Sequence, residues 1–140
     1  MVKLRIITIL CLFFACIGCK KAHDVHVFWY LDAEKDEIAI SSDSTDKIVK
    51  SYDKFLAPLG EYHDWQNDNY VYCRSIIIRN TTESQQIQSV TAAAQAAHLA
   101  LGDNYMVNGW EKCIMTVTLQ EDGYPPINVF SHDYSVQNAQ

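Results

Sequence analysis

Residues 70–101 read YVYCRSIIIRNTTESQQIQSVTAAAQAAHLAL, a β-like run joined by a two-residue turn to a helical one. Residues 70–79 are mostly β-branched and aromatic, side chains that suit a pleated, buried surface, so this run predicts a central strand. Asn80 and Thr81 turn the chain. Thr82, with Gln85 three residues on, spells a capping box. Ile87, Val90, Ala94, Ala97 and Leu101 then recur at helical spacing until Gly102, a residue suited to ending a helix. The alanines at 92, 93, 94, 96, 97 and 100 permit close packing on a sheet. Together with their neighbours this strand and helix give the order β-β-α-β-α-β-β, which indicates an α+β fold.

The flanking segments extend this pattern. Residues 25–31 (VHVFWYL) read as a strand, 32–36 (DAEKD) as a charged turn and 37–42 as a second short strand, together a hairpin. Ser44 or Thr45 is expected to cap a helix over 46–57, with Ile48, Tyr52, Phe55, Leu56 and Leu59 as its apolar stripe and Pro58 and Gly60 ending it. Residues 61–69 (EYHDWQNDN) read as a loop. Beyond the second helix, 111–120 is a strand, 121–123 a turn, and 127–130 a returning strand, with Pro125 and Pro126 confined to a sheet edge or to the start of that strand. Residues 131–140 read as a polar tail. The expectation is one domain over 25–130, with a mainly antiparallel sheet of about five strands and two helices packed on it.

The N-terminus, MVKLRIITILCLFFACIGCKK, has Lys3 and Arg5 ahead of an apolar run over 6–17. That run has signal-peptide length and is short of the roughly 20 residues of a membrane-spanning helix. Cys16-Ile17-Gly18-Cys19 resembles a bacterial lipoprotein signal, with the small Gly18 before the modified cysteine. The resemblance implies cleavage after Gly18, acylation of Cys19, a lipidated tether over 19–24 and location in the cell envelope. Two or more acyl chains, at ~0.8 kcal/mol per buried CH₂, anchor a protein without a transmembrane helix. Lys20 in place of aspartate after the lipidated cysteine implies outer-membrane sorting, facing the periplasm.

The 140-residue chain carries 11 Lys and Arg against 17 Asp and Glu, a formal −6. Loss of Lys3 and Arg5 with residues 1–18 leaves nine basic residues against seventeen acidic, or −8. Such a domain repels nucleic acid and attracts basic partners. Cys11, Cys16 and Cys19 belong to the signal, leaving Cys73 and Cys113 in a compartment that oxidises thiols. They predict a disulfide of about 4 kcal/mol by loop entropy; the alternative is two separate buried thiols.

Several side chains invite a chemical reading. His23, Asp24 and His26 lack the further ligands of a zinc site. Asp64, Gln66 and Asp68 alternate like a calcium loop, but its glycine position is Asn69 and its bidentate acid position is Ser75. His98 beside the apolar stripe reads as a hydrogen-bonded core-edge residue. The sequence thus calls for no cofactor and no metal, and no nucleophile elbow accompanies its histidines. The segment of interest is 61–72, where Tyr62, Trp65, Tyr70 and Tyr72 stand among Glu61, Asp64 and Asp68. Aromatic anchors among acids suit an interface with a basic protein, and the aromatics equally suit stacking on a sugar or folding back to cap the core. The expected function is a non-enzymatic, protein-binding envelope lipoprotein, such as an immunity protein or an inhibitor of a toxin or hydrolase. The alternative is a saccharide- or peptidoglycan-binding lipoprotein.

Overall fold

The computed structural model describes residues 23–35 and 43–135. The signal segment, Cys19 and the first tether residues lie outside these, as do 36–42 and 136–140. The elements are β1 (His23–Lys35), α1 (Asp43–Leu56), a 3-10 turn (Ala57–Leu59), β2 (Glu61–His63), β3 (Tyr72–Thr81), α2 (Glu83–Leu101), β4 (Trp110–Glu121) and β5 (Ile127–Asp133). The strands form one antiparallel sheet in the order β2-β3-β1-β4-β5. This is the α+β architecture expected, with five strands and two helices.

The fifth strand is not the one anticipated. Residues 32–35 do not turn: Asp32, Ala33 and Glu34 pair with Ile114, Cys113 and Lys112, so β1 runs on for 13 residues. The reason is alternation. Leu31 and Ala33 point to the core face while Asp32 and Glu34 point away, and Asp32 forms an ion pair with Lys112 at 2.7 Å. A charge-rich stretch read as a turn is therefore an amphipathic strand end. The expected strand at 37–42 lies outside the described residues, and the missing sheet member is supplied instead by β2. Gly60 permits that pairing, since a Cβ there would stand 2.5 Å from the Ile77 carbonyl oxygen.

Both helices pack on one face of the sheet. Val25, Val27, Trp29 and Leu31 of β1, Ile76 of β3, and Met115, Val117 and Leu119 of β4 meet Ile48, Tyr52 and Leu56 of α1 and Val90, Ala94 and Ala97 of α2. Gln88 and Gln95 of α2 are exposed, as the stripe requires. The small side chains of α2 let α1 approach closely enough for Ser51 Oγ to donate to the Ala97 carbonyl at 2.7 Å. The capping box is present: Thr82 accepts from the Gln85 N–H, and the Gln85 side chain accepts from the Thr82 N–H. The Glu121 carboxylate, buried at the end of β4, also accepts from the Glu83 N–H, placing negative charge at the positive helix start.

Some buried polar groups are paired across elements. Asp53 of α1 accepts from Trp29 Nε1 at 2.7 Å and from the Tyr72 hydroxyl at 2.6 Å. The segment expected as a polar tail is instead partly built in. Residues 131–133 belong to β5, and Tyr134 and Ser135 are buried. Likewise His23 and Asp24, expected in the tether, already belong to β1, where Asp24 pairs with Arg79.

The expected disulfide does not form. Cys73 pairs with Tyr30 and Cys113 with Ala33, on opposite edges of β1. Residues 30 and 33 face opposite sides of the sheet, and two strand spacings of ~4.8 Å already exceed the ~7 Å Cα limit of a disulfide. The two cysteines are separate thiols.

Candidate functional site

Because the helices cover only one face, the other face of the sheet is lined by the even-numbered side chains of β1. In an ordinary amphipathic strand these would be polar. Here they include His26, Phe28 and Tyr30, which is why 25–31 is so rich in aromatic residues. Two helices can cover one sheet face but not both, so the aromatic residues of the second face need a different cover. The loop after β2 supplies part of it. Trp65 lies edge-on to Phe28 at 4.9 Å and to Tyr30 at 5.7 Å, and Tyr70 stacks on Tyr30 at 4.3 Å with the rings 30° apart.

The loop is held by local hydrogen bonds. The Asn69 N–H donates to Asn67 Oδ1, the Tyr70 N–H to the Asn67 carbonyl, and the Val71 N–H to the Leu31 carbonyl. Cys73 Sγ lies 3.5 Å from the same Asn67 carbonyl, so this thiol supports the loop base. Between the loop and β4 the four rings of Phe28, Tyr30, Trp65 and Tyr70 line a groove of about 220 Å³, closed on its far side by Thr118, Gln120 and Pro126. Thr118 Oγ1 donates to Asn128 Oδ1 at 2.8 Å. Burial, then the nearby Tyr30 and Asp32, push the Tyr70 phenol up, so it stays a neutral donor at physiological pH.

The sequence-derived residues divide between the faces. Tyr62 pairs with Ile76 and so points to the helix side, where its ring lies 5.1 Å from the Arg74 guanidinium. Trp65 crosses to the opposite side, so these two aromatics do not share a surface. Glu61 accepts from Arg79 Nε at 2.8 Å. Asp64 and Asp68 are exposed, and Asp64 Oδ1 accepts from the Tyr62 hydroxyl at 3.4 Å. Phe28 and Tyr30 are not among the site residues read from the sequence, because 25–31 reads there only as a strand. The signal was present, since one helical layer cannot bury both faces of a sheet whose strand carries Trp29 on one side and Phe28 and Tyr30 on the other.

A second cluster closes the C-terminal end on the helix side. The Tyr134 hydroxyl shares hydrogen bonds of 2.7 Å with the Tyr52 hydroxyl and with His98 Nδ1. His132 packs on His98 with ring centroids 4.3 Å apart. Burial, then the adjacent His98, holds the His132 imidazole below its ordinary value, against the opposing pull of Asp133. Burial pushes the Tyr134 phenol up to about 12 despite the Tyr52 hydrogen bond. His98 is thus the hydrogen-bonded core-edge residue its position on the stripe predicts. The cluster ties α1, α2 and the chain end together.

Set against known proteins, the chain matches no family model, no curated protein and no solved structure.

Proposed function

We propose that this chain is a lipid-anchored, non-enzymatic binding protein of the bacterial cell envelope, tethered through Cys19 and engaging a basic protein partner. A toxin or hydrolase that it neutralises is the class of partner intended. The observation that carries the reading is the sheet face opposite the two described helices, where Phe28, Tyr30, Trp65 and Tyr70 form one aromatic surface. Aromatic side chains offer large contact area at little entropic cost, and the net charge of −6 steers a basic partner.

A neutral saccharide is the second reading, favoured by the groove lining itself: Asn67, Thr118 and Gln120 beside the rings carry hydrogen-bonding groups but no charge. One experiment separates them. The tagged chain and its Trp65→Ala variant are used to retain binding partners from envelope extract at low and high salt. A basic protein kept by the wild type, lost by the variant and slower to associate as salt rises is the expected result. Retention of glycan alone, insensitive to salt, transfers the site to the saccharide reading, and equal retention by both chains removes the aromatic face from the function.

A further inference from the structure

We propose that the cleft between α1 and α2 is a second docking surface, and that it takes an acidic amphipathic segment of another protein. Lys47, Lys50 and Lys54 recur on α1 at intervals of three and four residues, so they share one face over about 10 Å of helix. All three are exposed and line a groove of about 430 Å³ whose apolar walls are Phe55, Leu101 and Tyr105. Leu99 and Met106, exposed by 66% and 53%, adjoin this groove in the chain.

A lysine row on a helix is ordinarily a solvated face. Two features set this one apart. It holds three of the seven Lys and Arg of residues 23–135, in a chain of net −6. Among the described side chains none of the three is paired with a carboxylate, whereas Arg79 is held by Glu61 and Asp24, and Lys112 by Asp32. Positive charge not neutralised within the described fold is thus concentrated along an apolar cleft.

The form of the cleft selects the occupant. Lys47, Lys50 and Lys54 follow one another along about 10 Å of helix, so a single small anion would meet one or two of them. Carboxylates three and four residues apart on a helix match the row, and the apolar side of that helix matches Phe55 and Leu101. An anionic membrane surface fits the charge, but a plane meets the exposed lysines and not the half-buried Phe55 and Leu101 that wall the cleft.

The test uses the full chain in neutral detergent and a synthetic helical peptide with glutamates at three- and four-residue spacing and leucines on its other face. Calorimetric titration is expected to show binding that weakens with salt and falls about tenfold or more in K47E/K50E/K54E, judged folded by circular dichroism. The milder K47Q/K50Q/K54Q chain should show a smaller loss, and serves if charge reversal unfolds the helix. Trp65→Ala should bind the peptide normally, which separates this surface from the aromatic face. Equal binding by wild type and the lysine variants overturns the proposal, as does equal binding of a lysine-for-glutamate peptide. Lysine-dependent adsorption to phosphatidylglycerol vesicles without peptide binding assigns the cleft to lipid, and lysine-dependent self-association assigns it to a second copy; either also overturns it.

Discussion

His132 shows how a single side chain couples packing to solution conditions. Its imidazole is half-buried against His98 and Tyr134, and its folded-state value lies below the ordinary 6.5. The unfolded chain therefore binds more protons than the folded one as pH falls below about 6.5, and stability falls with it. The contribution is complete above that pH and is lost as pH drops toward the folded value. Asp133 acts lower: burial raises its carboxyl, but hydrogen bonds from Ser135 and Cys113 outweigh this and hold it below 3.8. Urea unfolding of wild type and His132→Gln should therefore diverge between about pH 7 and about pH 5, with the wild type losing more stability on acidification. Parallel curves would show that His132 titrates alike in both states.

At the scale of elements, β2 is the weakest member of the sheet and the one most dependent on a single residue. It has three residues, all exposed, and pairs only with β3. Gly60 brings the chain against β3 with extended backbone, so its role is close approach and not an unusual dihedral. Gly60→Ala must push β2 away from the Ile77 carbonyl, which should cost about 1–3 kcal/mol, in the range of overpacking. Since β2 leads directly into the Trp65 loop, the same variant should also reduce the burial of Trp65, read as a red shift of its fluorescence. A variant as stable as wild type with unchanged emission would show that β2 accommodates the methyl group.

For the whole molecule, the sheet keeps Cys73 and Cys113 apart and places them in different surroundings. Burial, then the charge of Asp133, pushes the Cys113 thiol up to about 12, and burial also raises Cys73. Both are poor nucleophiles as a result. Proteolysis without reductant should yield the two cysteine peptides separately. Iodoacetamide should label Cys73 slowly in the folded protein and Cys113 only after unfolding. A cross-linked peptide pair would contradict the arrangement of β3, β1 and β4.

What the sequence by itself determined about this protein is whatever depends on neighbours along the chain. The capping box at Thr82, the alanine-rich stripe of α2, the start of β5 just past Pro125 and Pro126, and the order of strands and helices behind the α+β class all follow from local spacing. Helix caps and periodicity act over three or four residues, so a reader of the chain can see both partners at once. Tertiary structure decided everything that depends on strand partners. Asp32 and Glu34 read as a turn until β4 offered Lys112, and Glu61–His63 read as a loop until β3 offered an edge. Tyr62 and Trp65 read as one aromatic surface until pairing sent them to opposite faces, and Cys73 and Cys113 read as a pair until β1 came between them. In each case a strand shows its face only through its register, and register is set by residues tens of positions away.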